Sequence, residues 1–125
     1  MDNKIKLYHY SDKDIKDKIK VEYYGHNYFT ANDKNITDIK RAFYYTEARP
    51  EALLRGSKFL YITEIDQSKI YDLRNDKAGY IKRFDNITDI LSYIISIGYI
   101  GVIYNIGYDI VNLFYDVKFT IKKEL

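Results

Sequence analysis

The sequence holds no cysteine and only two histidines, His9 and His26. Thiolate nucleophiles, disulfides and Cys-based zinc sites are therefore excluded, and a histidine-rich metal site is disfavoured. The side chains that can do chemistry fall in separated clusters. Tyr8–His9–Tyr10–Ser11 offers an imidazole and a hydroxyl. Gly25–His26–Asn27–Tyr28–Phe29–Thr30 and Arg41–Ala42–Phe43–Tyr44–Tyr45–Thr46 offer aromatic faces, hydroxyls and one guanidinium. Farther along, Gly107–Tyr108–Asp109–Ile110–Val111–Asn112–Leu113–Phe114 supplies the carboxylate of Asp109 and the amide of Asn112. Glu64 and Asp66 are further acidic candidates. The six glycines never fall in a dinucleotide or P-loop spacing, and no G-x-S-x-G elbow is present.

The elements that must position these groups can be read from periodicity. Lys4–Tyr10 alternates, with Ile5, Leu7 and His9 on one side, and predicts a half-buried strand. Ser11 or Asp12 can cap a short helix over Asp14–Lys18. Short strands are predicted at Lys20–Tyr24 and His26–Ala31, and a helical turn at Thr37–Lys40. Arg41–Thr46 fits a helix end or a strand. Pro50 suits the first turn of a helix over Pro50–Arg55, ended by Gly56. Lys58–Ile65 is the clearest strand, followed by Ile70–Leu73. The clearest helix is Asn86–Ile97, where Ile87, Ile90, Leu91, Ile94 and Ile95 recur at helical spacing before Gly98. Ile100–Asn105, Asp109–Tyr115 and Val117–Ile121 read as strands. NITDI occurs at Asn35–Ile39 and Asn86–Ile90, but the surroundings differ and no repeat follows.

These elements predict one α+β domain over residues 1–125, with a mainly antiparallel, split β-sheet and a few short helices. With 46% hydrophobic and 30% charged residues, the composition is that of a folded globular protein. The N-terminal MDNKIKLYHY has no apolar signal-peptide core, and Ile87–Tyr104 is too interrupted to span a membrane, so a cytoplasmic protein is expected. Net charge is +2, with lysines interleaved among aspartates, which disfavours nucleic acid as the ligand. Tyrosine is the outlier, at 15 residues with no tryptophan. Its ring and hydroxyl suit both core packing and binding surfaces.

In order and type, the three clusters resemble the motifs of the H-Y-E branch of the ADP-ribosyltransferase superfamily, which includes diphtheria toxin and the poly(ADP-ribose) polymerases. The resemblance implies an ADP-ribosyltransferase-like fold, NAD as substrate, and transfer of ADP-ribose to a macromolecular target. It implies that His9 holds a ribose hydroxyl, while Ser11 and the backbone near Tyr10 hold the nicotinamide amide. Tyr28 with Tyr44 (or Phe43) would sandwich the ring, Thr30 on the strand of Tyr28 would join the NAD site, and Arg41 would reach the pyrophosphate. Nicotinamide, a flat amide-bearing ring, needs such an aromatic face with a donor and an acceptor. Its loss builds positive charge on the sugar, which a nearby carboxylate stabilises. The family's glutamate is missing from the last strands, and Asp109 is the nearest acidic residue. Tyr10 also replaces the usual glycine between His and Ser. Some compact ADP-ribosyltransferases are phage-encoded antagonists of host defence, and this chain's small size fits that group. The alternative is a catalytically inactive member that binds a partner protein through its tyrosines.

Structural roles compete for the same residues. His9 lies on the apolar side of its strand, where a histidine often bonds backbone. Ser11 can serve as a cap. Tyr28, Phe29, Phe43 and Tyr44 can be core, Arg41 can pair with Asp38 at the surface, and Asp109 suits a hairpin turn.

Overall fold

Alternation over Lys4–Tyr10 and Lys58–Ile65 produces the two longest strands, β1 (Lys4–Ser11) and β4 (Phe59–Asp66). The computed structural model describes residues 3–22, 39–51 and 56–125. Among these the remaining elements are β2 (Lys18–Ile19), β3 (Ala42–Tyr45), β5 (Ile70–Asp72), α1 (Tyr80–Arg83), α2 (Ile87–Ser96), β6 (Gly101–Asn105), β7 (Asp109–Leu113), β8 (Val117–Lys118) and β9 (Ile121–Glu124). The class is α+β, mostly strands with two helices. Seven strands form one sheet in the order β5-β6-β7-β3-β1-β4-β9, and β2 pairs with β8 in a second. The larger sheet is mixed: β5 is parallel to β6, and its other pairs are antiparallel.

A parallel neighbour requires a crossover, and the segment holding α1 and α2 supplies it. α2 buries Ile87, Ile90, Leu91 and Ile94, the predicted stripe, against a cluster that includes Val102, Tyr104 and Ile110. Each such burial is worth roughly 1.5–3 kcal/mol. Asn86 caps its start by accepting from Asp89 N, and Gly98 ends it at φ 104°. The short α1 was not foreseen, because four residues carry too little periodicity to stand out. It is organised by Asp76, whose carboxylate accepts from the Tyr80 and Ile81 amides at 3.0 Å and from the Tyr71 hydroxyl. Burial and this carboxylate push the Tyr71 phenol up to about 12.

One connection governs the shape of the sheet. β4 and β5 are joined only by a helical turn at Gln67–Lys69, yet β1, β3, β7 and β6 lie between them in the sheet order. In a flat sheet five strand spacings would separate them by about 24 Å. The link from Asp66 to Ile70 can span at most about 14 Å. The sheet must therefore curl until its two ends approach. The curl is visible in the core, where Leu7 and Tyr61 of β1 and β4 share a cluster with Ile70 and Ile103 of β5 and β6. That face is concave, and α2 covers the other.

Two expectations are corrected, and one open alternative is settled. Asp14–Lys18 is not a helix but bends leading into β2, because Ile19 inserts into the concave core and the Tyr61 hydroxyl holds the backbone at Lys13 and Ile15. Val117–Ile121 is not one strand, since β8 pairs with β2 and β9 pairs with β4. Arg41–Thr46 resolves as a strand, β3. The prediction at His26–Ala31 and most of that at Pro50–Arg55 fall outside the described residues, as do the last two residues of Lys20–Tyr24 and the first two of Thr37–Lys40.

Gly101 is required by packing. A Cβ built there would lie 2.4 Å from the Asn112 carbonyl oxygen and 2.7 Å from a Leu113 methyl. Gly101→Ala should therefore force β6 and β7 apart and lower stability by about 1–3 kcal/mol, read as a reduced urea midpoint.

Candidate functional site

The end of β1 sets His9 opposite Tyr61 of β4, and Ser11 two residues on, along the concave face that also carries Leu7. His9 Nδ1 lies 2.8 Å from the Phe43 carbonyl oxygen. A carbonyl only accepts, so Nδ1 carries the proton and donates. The Tyr44 and Tyr61 rings pack against the imidazole, with centroids at 5.4 and 6.3 Å. Burial lowers the imidazole's pKa below its ordinary value, opposed by the Phe43 carbonyl and the negative charge of Glu22. At neutral pH the ring is thus neutral, with a lone pair on Nε2. That atom makes no hydrogen bond among the described residues.

His9 opens onto a cleft of about 1030 Å³, whose walls include Tyr10, Ser11, Glu22, Ser57 and Asp116. This is the size of a small-molecule site. The wall facing β1 is the segment Asp12–Glu22, held by the pairing of β2 with β8 and by tertiary bonds on either side of it. The Tyr61 hydroxyl accepts from Ile15 N at 2.6 Å and donates to Lys13 O at 2.8 Å. Asp116 accepts from Val21 N at 2.8 Å. Glu22 exchanges backbone hydrogen bonds of 3.0 and 2.9 Å with Arg41, at the start of β3.

The structure gathers some of the expected residues and separates others. His9, Tyr10 and Ser11 all line the cleft. Ser11 caps a turn by accepting from Lys13 N at 3.0 Å, and the Tyr10 hydroxyl accepts from Arg49 N at 2.8 Å. Tyr44 is buried on the His9 face, whereas Phe43 points to the α2 side. Tyr28 and Thr30 lie outside the described residues.

Arg41 is not at the surface. It is 0% exposed, with its guanidinium 5.0 Å from the Phe43 ring centroid, so no guanidinium face is open to a pyrophosphate in the cleft. Glu64 is exposed on the face opposite His9, and Asp66 is occupied by the amide and hydroxyl of Ser68. Asn112 is buried on the α2 side, where it donates to the Tyr104 hydroxyl at 3.0 Å.

Asp109 does not line the cleft. By register His9, Tyr44 and Val111 form one row, and Asp109 lies two residues before Val111 on the same face. That places it about 12 Å from His9, from strand and residue spacings. Its carboxylate receives Arg74 at 2.9 Å and Asn105 at 3.1 Å, and Arg74 is also held by Asp72. The cleft carboxylates that sequence reasoning did not single out are Asp12, Asp17, Glu22 and Asp116, of which Glu22 is the one bridged to β3. No local pattern marks it, because only the bridge to Arg41 brings it into the cleft.

Compared with known proteins, the chain matches no family model, no curated protein and no solved structure. Among the described residues no helix is long and apolar enough to cross a membrane, and no group of His, Cys, Asp and Glu could hold a metal ion.

Two measurements check this geometry. Folded His9 binds a proton less readily than the unfolded chain, so the stability it contributes is complete above about pH 6.5 and declines as pH falls toward the folded pKa. An NMR titration of the His9 ring should show a midpoint below that of an unfolded-chain histidine. His9→Asn should remove that part of the pH dependence. Separately, Tyr61→Phe strips both bonds from the loop backbone and should cost about 1–3 kcal/mol in chemical denaturation, with faster amide exchange at Ile15.

Proposed function

We propose that the protein is a compact ADP-ribosyltransferase-like domain that takes NAD into the His9 cleft, releases nicotinamide and places ADP-ribose on a macromolecular target. The observation that carries this reading is the state of His9. Its tautomer is fixed by the Phe43 carbonyl, its ring is backed by Tyr44 and Tyr61, and its Nε2 is left for a ligand beside Ser11. A neutral imidazole so held accepts a hydrogen bond from a sugar hydroxyl without needing to reorganise. Ser11 sits within the same strand end, where its hydroxyl and neighbouring backbone suit an amide.

The test is incubation with NAD labelled in the adenylate half, followed by detection of labelled macromolecules and free nicotinamide. His9→Asn is the informative variant, because its amide can still donate to the Phe43 carbonyl while Nε2 is lost. It should weaken NAD binding by about 10- to 100-fold, the worth of one buried hydrogen bond, at little cost in folding. Unchanged NAD affinity in this variant would sink the proposal.

A second reading, an inactive member of the same fold that binds a partner protein, is supported by a tyrosine surface that meets the cleft at Tyr10. Tyr10, Tyr45 and Tyr108 form a half-buried run with centroids 5.9 and 5.6 Å apart, and Arg49 lies 4.2 Å from the Tyr108 centroid. Tyrosine and arginine dominate interface hot spots. On this reading partner binding survives His9→Asn and is lost in Tyr108→Ala.

A further inference from the structure

If the cleft cleaves NAD, as proposed above, a negative charge must face the sugar from within it. Among the described residues the carboxylates on its walls are Asp12, Asp17, Glu22 and Asp116. Asp12 and Asp17 stand on bends of the wall segment, exposed like the Glu22 side chain, and Asp116 is occupied by the Val21 amide. Glu22 differs from them in three respects. Its backbone is fixed to β3 by two hydrogen bonds. Among the described residues its side chain has only an exposed contact with Lys13, at 3.6 Å, which a ligand can displace at little cost. It is also the carboxylate whose charge acts on His9.

We propose that Glu22, and not Asp109, is the carboxylate that stabilises the transition state in this cleft, and this rests on the NAD reading. In the step, the bond between the ribose anomeric carbon and the nicotinamide nitrogen breaks. Its electron pair leaves with nicotinamide, whose ring becomes neutral. Positive charge passes to the anomeric carbon and the ring oxygen until a nucleophile of the target adds its lone pair and releases its proton to water. Glu22 forms no bond in this sequence. It acts by charge alone, which counts for more once a bound ligand displaces water from the cleft than at an open surface. Asp109 cannot contribute in the same way, because Arg74 already neutralises it on the far side of Tyr44 and Val111.

The experiment measures nicotinamide release and NAD affinity for the full chain and for Glu22→Gln, Asp109→Asn and Asp12→Asn. Glu22→Gln keeps the side-chain shape and the backbone bonds to Arg41, and an unchanged melting temperature confirms folding. It should slow nicotinamide release by about 10²- to 10³-fold while NAD affinity changes by less than about threefold. Asp12→Asn, on the same wall, should leave the rate within about twofold of the parent. As a check on position, Glu22→Gln should also move the His9 titration to lower pH. If Asp109→Asn causes the loss and Glu22→Gln does not, the assignment of Glu22 is overturned while the transferase reading stands. Absence of NAD cleavage by the unaltered protein overturns both.

Discussion

The short link between β4 and β5 is the constraint from which the rest of the architecture follows. Three residues, Gln67–Lys69, must connect strands that lie at nearly opposite ends of a seven-stranded sheet, and only a curled sheet permits it. Curling divides the two faces into different environments. The convex face takes α2 and the cluster around Val102, Tyr104 and Ile110. The concave face collects Leu7, Tyr44, Tyr61, Ile70, Ile103 and Val111 into a second cluster, and His9 sits at its edge. Both faces of β4 are covered as a result: Leu60 and Ile62 on one side, Tyr61 and Thr63 on the other.

The cleft exists because the concave face is only partly closed. Ile19 anchors the wall segment in the core, while the residues before it are suspended from Tyr61 and those after it from Asp116 and Arg41. A wall held at a few points, by Tyr61, Asp116, the β2–β8 pair and the bridge to Arg41, can approach a ligand without filling the space above His9. Tyr61 therefore serves three needs at once. Its ring packs between His9 and Phe119, it completes the sheet, and its hydroxyl satisfies two backbone groups of the loop.

The abundance of tyrosine has a similar explanation across the molecule. Tyr71 and Tyr104 are buried with their hydroxyls bonded to Asp76 and Asn112, so each contributes an apolar ring and a satisfied polar end to one core. A hydroxyl placed this way can organise a turn, as Tyr71 does with Asp76 ahead of α1. Tyr10, Tyr45 and Tyr108 are half-buried, and they gather around Arg49.

Periodicity in the sequence was enough to determine β1, β4, the buried stripe of α2, and the α+β class, because side chains of each element report their own burial at spacings of two or of three and four residues. His9 and Ser11 were legible as a pair on one strand end for the same reason. What lay beyond the sequence were quantities set by residues distant in the chain. Arg41 reads as a surface cation, yet the fold encloses it. Asp109 reads as an available carboxylate, yet Arg74, 35 residues away, occupies it. Glu22 carries no local signal, and enters the cleft only because its backbone pairs with Arg41. Local spacing fixes which way a side chain points from its own element. Which charges meet across the cleft is decided by how far the sheet curls, and that depends on the whole chain closing through three residues between β4 and β5.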